Sequence, residues 1–193
     1  CMRNPIYKTR PVEPNPAMFG GERINDFIVL SEAFSNSYLI ETGEGNVQLN
    51  AGMGMEAPVI EANFKSFNDG PVHTLVFTQG HVDHVGGTAY FRERNPGLRV
   101  IAAANNPEHQ AYDARLGKFR GDRSAFAFTE KFAAAFAAYQ KHGYTDYPAQ
   151  DVPEPDVLVE ERMTFELGGV AFELIALPGA ETNDSLVVWL PQH

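Results

Sequence analysis

Regular patterning begins at about Phe27, where apolar and polar positions alternate through "FIVLSE" (27–32), "NSYLIET" (36–42) and "NVQLNAG" (46–52). A period of two marks half-buried strands, and turn residues between them, such as "GEGN" at 43–46, join consecutive antiparallel neighbours. Residues 55–67 change to helical spacing, and "VHTLVFT" (72–78) follows as a β-branched and aromatic run suited to a sheet interior. "GGTAYFRERN" (86–95) is predicted helical, and "LRVIAAA" (98–104) is predicted to be a strand parallel to the one before it. Together they make a strand, loop, helix and strand unit, whose ligands gather at the carboxyl ends of its strands.

From Pro107 to about Tyr147 the pattern is helical, with Phe128, Phe132, Phe136 and Tyr139 recurring at helical spacing in an alanine-rich stretch. This segment is expected to be an inserted helical pair spanning about 107–150. Its aromatics either pack a face of that pair or wall an apolar substrate channel. "DVPEPD" (151–156) reads as a linker, followed by strands at roughly 157–166, at 170–177 after a Gly168-Gly169 turn, and at 185–190. Residues 1–26, carrying four prolines and a Gly-Gly pair, are expected to be an extended arm, with residues 27–193 forming the folded domain.

A length of 193 residues fits one domain with an inserted lobe, and 44% hydrophobic with 21% charged residues is ordinary globular composition. No run approaches the roughly 18 apolar residues of a membrane span, so a soluble protein is expected. The net charge of −10 argues against a nucleic-acid partner, which would need clustered Lys and Arg. Cys1 is the only cysteine, which excludes an internal disulfide. A start at Cys1-Met2 reads as a processing or cloning scar, or as the mature end of a lipoprotein, and cytoplasmic and periplasmic localisation both stay open.

The chemistry concentrates in "TQGHVDHVGG" (78–87), at the end of the buried strand. His81, Asp83 and His84 put two imidazoles and a carboxylate into one tight turn, whose alternate spacing points them to different sides and so suits two adjacent metal positions. Such ligands fit Zn²⁺, with Fe or Mn as alternatives. Gly80, Gly86 and Gly87 relieve the steric demand of the turn. His73 is expected to be a core or edge histidine, and His109 and His142 to be surface residues of the helical insert. No G-x-S-x-G elbow, P-loop or G-x-G-x-x-G is present.

"FTQGHVDHVGG" after a buried strand resembles the metallo-β-lactamase superfamily, whose loop reads H-x-H-x-D-H with Gly-Gly following. "LNAGMG" (49–54) stands where that family commonly has an Asp-x-Gly turn. The resemblance implies an α/β fold of α+β character, the metallo-β-lactamase αββα sandwich with a helical insert. "PGAET" (178–182) replaces the family's common "PGHT" and looks like the Pro-Gly-Thr-Glu of the alkylsulfatase branch, as does the trailing "WLP" at 189–191. The implied ligands are His81, Glu181 and Gln79 for a first metal and Asp83 and His84 for a second, with up to two Zn²⁺.

Three departures stand out. Gln79 occupies the first ligand position, where an amide oxygen coordinates more weakly than imidazole, so a single metal is the alternative. Asn50 replaces an acid that in many members supports a ligand imidazole. The family's bridging acid and final His would lie beyond His193, so the chain reads as the N-terminal portion of a domain, completed by a companion C-terminal segment or by a homo-oligomer. The resemblance implies a metal-dependent hydrolase in which Asp83 orients an activated water against a small-molecule ester, such as an alkyl sulfate ester. Alternatives are a lactone, thioester or β-lactam hydrolase, and a degenerate binding module.

Overall fold

The computed structural model describes residues 19–193; the remainder of the expected arm, residues 1–18, lies outside them. The order is β1 (Glu22–Arg23), β2 (Ile28–Ser31), β3 (Ser37–Thr42), β4 (Gly45–Leu49), a 3-10 turn (Gly54–Glu56) and α1 (Ala57–Lys65). Then come β5 (Val72–Val76), α2 (Val82–Val85), α3 (Thr88–Arg94), β6 (Arg99–Ala103) and α4 (Asn106–Lys141). The chain continues with β7 (Val157–Val159), β8 (Arg162–Leu167), β9 (Val170–Ala176) and β10 (Leu186–Trp189). A strand thus already forms at Glu22, ahead of the expected onset at Phe27, because Glu22 and Arg23 pair with Leu30 and Val29.

Strands β1 to β7 lie side by side in sequence order as a seven-stranded sheet. The first four pair antiparallel through tight connections, and β4 to β7 pair parallel, each joined to the next by helix. Parallel neighbours need such crossovers, and those crossovers cover one face of the sheet. Leu39, Leu75, Phe77 and Val100 on that face pack with Val59, Ile60 and Phe64 of α1 and Phe91 of α3. On the opposite face Ile40, Val47, Val76 and Ile101 meet Phe172, Leu174 and Leu186 of a three-stranded sheet ordered β10-β9-β8. The layers are therefore helices, large sheet and small sheet. On the outer side of the small sheet, Val187 and Trp189 are exposed.

Two sequence expectations change. The segment expected as one strand at 157–166 splits: β7 extends the large sheet beside β6, while β8 turns into the small sheet beside β9. The expected helical pair is one 36-residue helix, about 54 Å long. Gly117 and Gly121 interrupt its pattern, but glycine weakens a helix by only about 1 kcal/mol each without breaking it. The helix stops at His142, where Gly143 takes a φ of 85°, a left-handed conformation that glycine adopts freely. Asn106 and Gln110 near its start and Ala135 and Tyr139 near its end are buried, and Phe132 stacks on Phe34 at 5.2 Å. His142 sits on the surface against Phe19, as expected of it. His73, expected in the core or on an edge, is instead an exposed residue of the central strand β5.

Candidate metal centre

The loop that follows β5 is held from three sides. Gly87 is a site of close approach, since a Cβ there would meet the Ala51 carbonyl oxygen at 2.3 Å and the Ala57 Cβ at 2.9 Å. The Ala51 N–H donates to the His84 carbonyl at 2.7 Å, and the Ser35 hydroxyl donates to the Asp83 carbonyl. Asn50, in the left-handed region at φ 60°, accepts on Oδ1 from the Thr78 N–H at 3.0 Å and the Thr78 hydroxyl at 3.1 Å. Where the family resemblance implies an acid beneath a ligand imidazole, this amide acts through Thr78, whose Oγ1 lies 3.3 Å from His84 Nδ1.

Gln79 and His84 are bonded to each other, Nε2 to Nε2 at 2.9 Å. Both ring nitrogens of His84 thus have protein partners. Burial pushes its imidazole below the usual histidine range; Asp83 opposes the shift and His81 adds to it. Asp83 Oδ2 is 3.8 Å from His84 Nε2.

His81 points the other way, toward the first two turns of α4. Its Nε2 lies 3.9 Å from Asp113 Oδ2, and His109 Nε2 lies 3.8 Å from the same oxygen. The two imidazole rings are 4.9 Å apart. One ligand atom from each of His81, His109 and Asp113 falls within 4.8 Å of the others. His109 was expected on the insert's surface; instead its side chain is only 12% exposed. The reason is its place one turn into α4, where the helix begins beside the strand ends. The spacing His109-x-x-x-Asp113 puts both on one helix face, and that spacing was the signal available in the sequence.

Beneath His109 lies Asp184, from the β9–β10 connection, with its side chain fully buried. Its Oδ2 accepts from Asn106 Nδ2 at 2.7 Å, and its Oδ1 accepts from the Thr182 hydroxyl at 2.7 Å and stands 3.7 Å from His109 Nδ1. Gly80 permits this convergence, because a Cβ there would meet Asn106 Nδ2 and Asp184 Oδ2 at 2.8 Å and His109 Cδ2 at 3.2 Å.

His81 stands between two clefts. One, of about 680 Å³, is lined by the polar residues His81, His109, Glu108, Asn105 and Glu181 among others. The second, of about 460 Å³, is walled by Val82, Val85, Ala114, Phe128 and Val152, with His81, Asp83 and Asp113 along it. Of the sequence candidates, His81 and Glu181 share the first cleft, His81 and Asp83 share the second, and Gln79 and His84 are engaged with each other. The donor set fits a divalent ion of mixed nitrogen and oxygen preference. In addition, His109 Nε2 is buried without a hydrogen-bond partner among the described residues.

Residues 30–193 match the family model of the metallo-β-lactamase superfamily, and the chain belongs to that superfamily. Among solved structures it is similar to a metallo-β-lactamase with a HARLDQ motif from Cronobacter sakazakii, at 21% identity and TM-score 0.63, covering 90% of this chain and 57% of that one. It is similar to BJP-1, a subclass B3 metallo-β-lactamase of Bradyrhizobium japonicum, at 16% identity and TM-score 0.64, covering 93% and 59%. It is also similar to the stereoselective inverting sec-alkylsulfatase Pisa1 from Pseudomonas sp., at 18% identity and TM-score 0.62, covering 91% and 30%. At such identities the likeness is one of fold. The chain thus spans a little over half the length of those two lactamases and under a third of the alkylsulfatase's. No curated protein matches it. No helix among the described residues is long and apolar enough to cross a membrane.

Proposed function

We propose that the protein is a metal-dependent hydrolase of a small-molecule ester, with the metal bound at the carboxyl end of β5 around His81. The observation that carries this reading is the position of His81, with imidazole and carboxylate partners beside it and a cleft on either side, one lined by polar residues and one apolar. Zinc is the metal that best suits these donors. The resemblance supplies Gln79, His81, Asp83, His84 and Glu181 as its candidate ligands, and His109 and Asp113 join them from the geometry. When bound, such a metal acts as a Lewis acid and lowers the pKa of water toward about 7.

The protein's own groups do the rest. Asp83, on the wall of the apolar cleft, orients the attacking water and takes its proton. Val82, Val85, Phe128 and Val152 bind an apolar chain and exclude bulk water from it. The first cleft, with Glu181, Asn105 and Asn183, receives the hydrophilic part of the ester. This division suits an alkyl ester, and the resemblance of Pro178-Gly179-Ala180-Glu181-Thr182 to the alkylsulfatase branch makes an alkyl sulfate ester the first choice over a lactone, thioester or β-lactam. A small-molecule substrate also accords with the absence of any basic stripe in a chain of net charge −10.

The test compares zinc-loaded wild type and Asp83→Asn on a medium-chain alkyl sulfate and on a lactone. The reading expects turnover of the sulfate ester, abolished by chelation and reduced by about 10²-fold or more in the variant. Equal turnover by Asp83→Asn would remove Asp83 from the mechanism. Turnover of the lactone alone would replace the sulfate-ester reading.

A further inference from the structure

Asp113 is a carboxylate with its two oxygens given different tasks. Oδ1 accepts from Arg120 at 2.7 Å, two turns further along the same face of α4. Oδ2 is left facing two imidazoles, His81 at 3.9 Å and His109 at 3.8 Å. Neither distance is a hydrogen bond. Ligand atoms on a tetrahedral zinc with bonds of about 2.0 to 2.1 Å stand about 3.3 Å apart, so small side-chain rotations bring all three onto one ion. A buried imidazole nitrogen without a partner, as at His109 Nε2, is costly, and an ion between the three groups would remove that cost.

The other side of His109 is prepared as well. A histidine binds metal through one nitrogen while the other donates its proton to a fixed acceptor, commonly a carboxylate. Asp184 Oδ1 faces that second nitrogen of His109, 3.7 Å from Nδ1, which is beyond hydrogen-bond distance as the chain stands and closes only if the ring turns. It is fully buried and held by Asn106 and Thr182, and Gly80 leaves the room in which these groups meet.

We infer that the chain binds one divalent ion of the zinc class through His81 Nε2, His109 Nε2 and Asp113 Oδ2, with Asp184 as the positioning residue that directs His109. This rests on the metal-dependent reading and deepens it. The ion bridges the strand-end loop and the long helix, so it is shared between two elements rather than held by the loop's own ligands. Glu181 lines the cleft onto which this group opens.

The experiment is titration of the chelator-stripped, purified chain with zinc sulfate by calorimetry, repeated with cobalt(II) and read by its visible absorption. Wild type is expected to bind one equivalent. His109→Ala and Asp113→Asn each weaken binding by about a hundredfold, and Asp184→Asn by about tenfold to a hundredfold. His73→Ala, on the exposed side of β5 and outside the centre, stays within about threefold. Circular dichroism melts identify a variant that has lost its fold, and His109→Gln then serves as the milder replacement. If His109 and Asp113 variants bind zinc as wild type does, the cluster is an ion pair and the inference is overturned. If His84→Ala loses zinc while His109→Ala keeps it, the ion sits among the loop's own ligands, which overturns the inference and leaves the metal-dependent reading intact. Failure of the hydrolase reading is separate, since it would appear as zinc bound as inferred with no ester turned over.

Discussion

Gln79 Nε2 lies 2.9 Å from His84 Nε2, so the amide at the loop's first ligand position caps the imidazole at its last. With the amide donating, the ring's other nitrogen carries the proton and faces Thr78 Oγ1 at 3.3 Å, and the Thr78 hydroxyl donates in turn to Asn50 Oδ1. The relay runs from Gln79 to the backbone carbonyl of Asn36, which accepts from Asn50 Nδ2 at 3.3 Å. Glutamine at position 79 therefore occupies the His84 nitrogen that a metal at the proposed loop site would need. Gln79→His removes the cap and adds an imidazole. Elemental analysis should then find two equivalents of zinc per chain where the wild type holds one.

Gly80 is predicted to be intolerant of any side chain. An alanine Cβ would enter the 2.7 Å hydrogen bond between Asn106 and Asp184 and press on the His109 ring. Gly80→Ala should weaken zinc binding by about tenfold or more, equivalent to about 1.4 kcal/mol. The same calorimetric titration checks it, with the unfolding midpoint as control.

Glu56 provides a pH signature. Its carboxyl is fully buried and accepts from the Phe34 and Met53 N–H groups at 2.9 Å each. Burial outweighs those two donors and raises its pKa to about 7. A carboxyl with a raised folded-state pKa binds a proton in the native state that the unfolded chain has already released. The stability that Glu56 contributes is therefore fully present below the ordinary value of 4.5 and is lost as pH rises from there through about 7, by about 3 kcal/mol at most. Thermal melts of wild type and Glu56→Gln between pH 4.5 and 8 should show a decline of roughly 6–10 °C that the variant lacks.

Phe172 tests the layering. It is 1% exposed, lies parallel to Phe165 with ring centroids 4.7 Å apart, and packs between the two sheets. Phe172→Ala should cost about 3–5 kcal/mol in urea unfolding, whereas Val187→Ala, on the exposed side of β10, should cost under about 1 kcal/mol.

The fold was legible wherever a strand alternates or a run is wholly buried. Val29, Leu39 and Val47 are inward positions of β2 to β4, and Leu75, Val76 and Phe77 are buried because β5 is covered on both faces. The break between Val159 and Arg162 was not legible, since the local pattern continues while the chain crosses from one sheet to the other; pairing with β6 and with β9 decides it. That the long segment is one helix and not a pair was not legible, because helical spacing carries no mark of whether the chain turns back within it. At the candidate centre, His81, Asp83 and His84 could be read from a single strand-end turn. His109, Asp113 and Asp184 could not be joined to them by sequence distance, because helix α4 and the β9–β10 connection meet the loop only in three dimensions.

Zinc content per chain, measured by elemental analysis after dialysis of the zinc-loaded protein, tests the central claim most directly when wild type is set beside His81→Ala. The account predicts at least one equivalent in the wild type and less than about a tenth of that in the variant, since the proposed centre has His81 between both clefts and beside His109 and Asp113. A wild-type chain that retains no zinc, or a His81→Ala chain that retains as much as the wild type, would contradict it.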